Sequence, residues 1–447
     1  MLALRLTRTA RPAVHLRRLL VTLAAAGTGF LLLSSLGYAL SHPDAPSSAA
    51  LRLAWCLTPL AATVHLAVAV SRTDPATKPR PGLSAIGLGP ARLMVIAATT
   101  TALSTTLGSL LALLLFLHLR GDLTGMPFDG GAASFLASGM PLPVPASLTL
   151  LALVPAIAST AVALVLRPRD TRPATTRGPA HAYGHSGARE TFGAYGRFGA
   201  RRRRPAAEAV PEGQDQDTPP APVSEPAPAA DTATPDPDPT RPPTPRTAPS
   251  GLPWGIATVA AGLAVEAYTS RTAQASTVKL PGGLITGTPT ILIGVALTAL
   301  GLALAAPALT HLAGRLLQSA RPGALRLLAG RVLMEEAGRI GRPLGVVCAV
   351  ASTAYAMTAL YDPAEPDVGP LTTLGMLLVT GCTVATLLTA TVEARQSRAD
   401  TTAALLRLGA PATMLRGAAG LRAAALLALF GPLTLVVAEL AALPLTH

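Results

Sequence analysis

Stretches of about 20 apolar residues recur along this 447-residue chain, and that recurrence decides what it can fold into. Backbone polar groups inside a bilayer must be satisfied within the segment itself, so such stretches cross as helices. Only 13% of the residues are charged, against about a quarter in a soluble domain. The mean hydropathy is +0.46. One large soluble enzyme is excluded. The sequence reads as an all-α polytopic membrane protein of about nine transmembrane helices. They fall near 19–40, 51–70, 92–117, 147–166, 253–269, 285–307, 343–361, 371–391 and 418–443.

Arginine placement orients these spans. The net charge of +13 would suggest nucleic acid in a soluble protein, but here the arginines lie between the apolar runs. Arg5, Arg8, Arg11, Arg17 and Arg18 precede the first run, which is longer than the roughly 7–15-residue core of a cleaved signal. It reads as an uncleaved span with a cytoplasmic N-terminus. Connections 71–91, 308–342 and 392–417 are basic, whereas 42–50 and 362–370 hold carboxylates and no Lys or Arg. This alternation implies a multi-pass membrane protein with its N-terminus and linker cytoplasmic and His447 outside.

Residues 167–252 differ in kind. They run from Arg167 through Arg201–Arg204 and then turn acidic and proline-rich, from Glu208 to Asp238. Such a composition cannot bury enough apolar surface to offset its ordering entropy, so a disordered cytoplasmic linker is expected. Tyr183, Phe192, Tyr195 and Phe198 stand just ahead of the Arg201–Arg204 run. That combination suits anionic lipid headgroups. No specific nucleic-acid partner is expected.

The two sides of the linker echo each other. Ser71-Arg72-Thr73-Asp74 is followed by Leu88-Gly89-Pro90 and a long apolar run. Ser397-Arg398-Ala399-Asp400 is followed by Leu408-Gly409-Ala410-Pro411 and another. Both copies fall on the same side, so the halves are parallel and not inverted. Each copy reads as a basic turn and a short amphipathic helix joined to a span. Ala403, Leu406 and Leu408 are apolar there, and Arg398 and Arg407 reach water or a partner. Gly409 can close the short helix in the left-handed conformation, with Pro411 in the first turn of the next.

Ala404-Leu405-Leu406-Arg407-Leu408-Gly409-Ala410 resembles the hallmark of the FtsX-like, MacB-type permeases of ABC transporters. Leu83 to Gly89 matches it weakly, with Gly87 in place of the arginine, and the stretch from Leu327 to Arg342 is similar to the start of that family's second half. The resemblance implies a separate ABC ATPase subunit whose closure is coupled to the spans. Carried over by position, the coupling residues are Arg398, Asp400, Leu406, Arg407 and Gly409, with Arg72, Asp74, Leu88 and Gly89 as weaker equivalents. It also implies a division into 1–166 (four spans), the linker 167–252, a helix pair 253–307, and 308–447 (three spans). The large outer domains usual in that family are missing, so this reads as a reduced member. On the residues alone, a secondary transporter of parallel repeats and a non-transporting scaffold stay open.

Catalytic chemistry is sparse. The two lysines, Lys78 and Lys279, follow Thr77 and Val278 and not a glycine, so a phosphate-cradling Gly-Lys-Ser/Thr loop is missing and ATP must be hydrolysed elsewhere. No cofactor or metal is expected, and the chain reads as a non-enzyme. Cys56, Cys348 and Cys382 read as small buried apolar residues. Glu266 and Glu439 are the acidic residues within spans and His65 stands alone in the second; such groups are expensive in hydrocarbon and therefore functional candidates. Reporter tags within 71–91 and within 392–417 are expected on the same face of the membrane, and tags within 42–50 and 362–370 on the other.

Overall fold

The computed structural model describes residues 12–74, 89–123, 130–133, 136–167, 249–272, 290–319, 323–359 and 369–442. The expected linker, with Arg201–Arg204, lies outside them apart from its ends, and so does Leu88. The described residues form eleven helices and no strand. They are α1 Pro12–Ser41, α2 Pro46–Trp55, α3 Leu57–Thr73, α4 Pro90–Arg120, α5 Val144–Leu166 and α6 Leu252–Thr272. There follow α7 Thr290–Ser319, α8 Ala324–Ala359, α9 Pro370–Ser397, α10 Ala399–Arg407 and α11 Ala412–Ala442. Prolines sit in the first turns of α2, α4, α5 and α9, where the missing N–H has no intrahelical partner to lose.

Seven helical stretches are long and apolar enough to cross a membrane, the architecture of a multi-pass helical membrane protein. The number is below the nine expected for two physical reasons. The apolar part of α6, Leu252–Tyr268, is short. The first half of α8 carries Arg326, Arg331, Glu335, Glu336, Arg339 and Arg342, and only from Leu344 onward is the helix free of charge. Both stretches are nevertheless helical. The 308–342 stretch, expected as a connection, is helical almost throughout, since α7 runs to Ser319 and α8 starts at Ala324. The second expected span lies within one apolar helical stretch, Pro46–Thr73, with an interruption of a single residue that keeps right-handed dihedrals. Pro59 cannot donate to the carbonyl of Trp55, and the chain splits at Cys56 into α2 and α3.

α1 packs against α3, α4, α5 and α9 and is the most enclosed of the spanning helices. Val21, Ala24, Leu66, Ala67, Ala158 and Cys382 bring four of these helices into one cluster. Phe30, Leu33, Ala112, Phe116 and Leu151 fill the end away from Arg18 and Asp74. A second group joins α6, α7, α8 and α11, with Val259 packed on Leu302, Ala349 and Val437, and Ala306, Cys348 and Phe430 extending it over α7, α8 and α11. α9 touches both groups, packing on α3 and α1 and on α8. Outward stripes such as Leu103, Leu107, Leu110 and Leu114 on α4 are exposed, as suits a helix facing lipid.

Hydroxyls in these helices mostly bond back to their own backbone, as Thr105 does to the Thr101 carbonyl at 2.8 Å. A few cross between helices. The Thr28 and Thr63 hydroxyls lie 2.9 Å apart, and Ser109 donates to the Leu151 carbonyl at 3.0 Å. Close approach of α6 and α7 depends on glycine. A Cβ at Gly255 would lie 2.5 Å from the Ala305 nitrogen, and one at Gly301 would lie 2.5 Å from the Val259 nitrogen. Gly255→Val is therefore expected to lower stability by about 1–3 kcal/mol, read from unfolding in a denaturing detergent titration. Gly420→Ala, with nothing within 4 Å of the added methyl, should unfold with the native protein.

Candidate coupling site at the basic end of the bundle

The arginine-rich ends of the helices gather at one end of the bundle. Two ion pairs lie there, each tying one long helix to the end of the next. Arg18 on α1 reaches Asp74, just past α3, with Nη2 to Oδ2 at 2.6 Å. Glu336 on α8 meets Arg398, just past α9, with Oε1 to Nε at 2.5 Å. The placement is the same and the polarity reversed. Of the two Arg-x-Asp turns, the first uses its aspartate and the second its arginine.

Glu336 is 6% exposed, so its charge is nearly out of water. Burial pushes its carboxyl above the usual carboxylate range, and the Arg398 and Arg422 guanidinium groups beside it pull it part of the way back. Arg422 belongs to α11, so one carboxylate on α8 links the end of α9 to α11 electrostatically. Arg398 is fixed further by donating from Nε to the Ala394 carbonyl at 3.0 Å. Glu336 and Arg422 were not singled out from sequence, and Arg18 was read only as a topology signal. The Glu335-Glu336 doublet within an otherwise arginine-rich stretch was the available signal.

α10 is closed as the sequence anticipates. Gly409 has φ of +85°. Its N–H donates to the Leu406 carbonyl at 3.1 Å, and that of Ala410 donates to Leu405 at 3.0 Å, the paired bonds of a Schellman end. Pro411 stands one place before the first turn of α11. Its carbonyl accepts from Met414 at 3.0 Å and from Leu415 at 3.4 Å. Only four residues, 408–411, thus separate a short amphipathic helix from a 31-residue one, and their backbone is bonded across the turn. Leu406 and Leu408 are exposed, Leu408 at 84%, and Arg407 is exposed beside them. Leu405 is half-buried instead. The Asp400 side chain lies outside the described residues.

The first turn differs. Gly89 is extended, with φ of −66° and ψ of 167°, and caps α4, its carbonyl accepting from Arg92 at 3.0 Å. The Leu-Gly step therefore ends a helix in one copy and starts one in the other. Arg72 is exposed. Beside Asp74, Arg18, Ser71, Thr100, Thr101 and Ser104 line a cup of about 20 Å³. A small-molecule site needs roughly 300 Å³ or more.

The intramembrane candidates stand apart from this cluster. Glu266 is 6% exposed within the α6–α7 pair, accepting from Thr298 Oγ1 at 3.3 Å and lying where a Cβ on Gly294 would fall. Glu439 is exposed and accepts from the Tyr355 hydroxyl at 3.3 Å. His65 is half-buried on α3 and feels the charges of Arg72 and Arg342. These three are not brought to one site.

Compared with known proteins, the chain matches no family model, no curated protein and no solved structure. Its functional reading therefore rests on its own residues.

Removing one partner of a buried pair strands the other. Arg398→Met is expected to cost about 3 kcal/mol, and Arg398→Met with Glu336→Leu to recover most of it, by chemical unfolding in detergent. The pH response has a definite sign. With Arg398 gone, Glu336 binds a proton more tightly in the folded protein than in the unfolded one. The single variant therefore regains stability as pH falls through the raised folded value, with the gain complete below the ordinary carboxylate value.

Proposed function

We propose that this chain is the membrane-spanning, permease-like subunit of an ABC transport system, a reduced relative of the FtsX-like and MacB-type permeases. Its basic end is cytoplasmic and receives a separate ATPase. Two parallel-related halves, embedded in a bacterial plasma membrane, move in response. The observation that carries this reading is the α10–α11 junction. A short helix with exposed Leu406, Arg407 and Leu408 is joined through Gly409 to a helix long enough to span, with no slack between them.

The chemistry of that junction suits transmission of force. A displacement of α10 cannot be absorbed by a flexible loop, because the Leu405 and Leu406 carbonyls are bonded across the turn. It passes to α11 and, through Arg398 and Glu336, to α8 and α9. The Arg18–Asp74 pair gives the α1–α3 corner a matching anchor and supports the two-half reading. The chain offers no Gly-Lys-Ser/Thr loop of its own, so the work must come from a partner.

An ABC ATPase encoded beside this chain should co-purify with it in mild detergent, and its ATP hydrolysis should change on binding. Arg407→Glu, at an exposed position outside the ion pairs, should weaken that association about tenfold. Purified chain that neither retains such an ATPase nor alters its turnover would overturn the proposal.

A further inference from the structure

We infer that the basic end carries a preformed apolar groove between α8, α10 and α11, and that a water-borne protein partner fills it with an apolar ridge flanked by carboxylates. The inference deepens the ATPase reading and rests on it for the partner's identity. The roles it assigns are specific: this chain supplies the groove, and the partner supplies the ridge.

The groove is lined by Leu327, Leu328 and Arg331 of α8, Leu405 of α10, and Met414 and Leu415 of α11, and has a volume of about 310 Å³. The floor is aliphatic. Leu327 is 46% exposed, a large apolar group turned outward.

Depth decides between lipid and protein. The uncharged part of α8 starts at Leu344, and Leu328 lies about 24 Å before it along the axis. On α11, Leu415 lies about 10 Å before Arg422, the last charge until Glu439. The polar layer of a bilayer adds only about 5–8 Å beyond the hydrocarbon. Most of the groove therefore opens into water, beyond the reach of acyl chains, and aliphatic surface left in water marks a protein contact.

Charge selects the partner. Arg331 is in the lining; Arg326 and Arg416, next to lining residues in the chain, and Arg407, two residues beyond Leu405, are exposed. A second copy of this face would bring like charges together, at a cost. A ridge flanked by glutamates or aspartates meets the arginines with opposite charge while its apolar side chains cover the leucines.

The test uses the full chain in nanodiscs of phosphatidylethanolamine with or without phosphatidylglycerol. The probes are three labelled helical peptides: a leucine ridge flanked by glutamates, the same ridge flanked by lysines, and a scrambled glutamate sequence. The glutamate ridge should bind, the other two at least about tenfold more weakly, and phosphatidylglycerol should leave its affinity unchanged. Leu327→Glu and Arg331→Glu, both at exposed positions, should each weaken it at least about tenfold, with elution and unfolding as in the native protein. Equal binding of the three peptides, or affinity untouched by both substitutions, overturns the groove. An ATPase that co-purifies undiminished with both variants also overturns it, while leaving the ATPase reading intact. Groove-dependent binding of the glutamate ridge to a chain that retains no ATPase supports the groove and removes the ATPase reading.

Discussion

A carboxylate buried beside two guanidinium groups fixes how the second group of helices meets the first. Glu336 sits on α8, Arg398 follows the last residue of α9, and Arg422 lies about three turns into α11. α9 is also the helix that packs on α3 and α1. The position of α9 is thus set at its basic end by charge and along its length by Cys382, Leu378 and Trp55 against Gly375. Aliphatic contacts between long helices tolerate sliding, because one leucine replaces another at similar energy. A short ion pair to a buried carboxylate does not, since a shift of a few ångströms leaves that charge unsolvated.

Glycine does the complementary work along the α6–α7–α8 row. Hydrocarbon supplies no hydrophobic drive for one helix to join another, so association must come from close van der Waals contact and a few polar bonds. Gly255, Gly262 and Gly301 bring backbones of α6 and α7 together, and Gly314, Gly330, Gly341 and Gly345 do the same for α7 and α8. The row is stiff as a result and extends past the charged boundary as a helical pair. Glu266 fits this description better than that of an ion carrier. Its aliphatic stem fills the space that Gly294 leaves, and Thr298 satisfies one oxygen.

Much of the helical layout was legible from periods and charges. Apolar runs gave spans because nothing else satisfies the backbone in lipid, and Gly409 foretold its own helix end because φ near +85° is costly for a residue with a Cβ. The site was legible only in part. Arg398 was visible as a turn arginine, but its partner lies 62 residues earlier, and pairing at that separation has no local signature. The interruption at Cys56 was written in Pro59, one helical turn ahead of Trp55, and was passed over because the apolar run continues through it. The 308–342 stretch looked like a loop because charge was taken as an end of structure, when it marks only the end of the hydrocarbon. Gly89 and Gly409 share a dipeptide and differ in role, since the prolines that follow them stand one and two places away and so start the next helix differently.

The arginines at the basic end serve two physical tasks with one set of charges. Spread along the sequence they orient the helices, because moving a guanidinium through hydrocarbon is costly. Folded, the same residues are sorted by depth. Arg398 and Arg422 are drawn in to meet Glu336, where they hold helices in register. Arg326, Arg331 and Arg407 are carried outward by the continuing helices of α8 and α10 and stand beside aliphatic side chains. A loop in place of those helices would orient the protein equally well and could do neither. In the groove we propose, what separates an orienting charge from a recognising one is the extra helical length, which takes leucine and arginine together beyond the uncharged stretches, where an apolar surface gains by being covered.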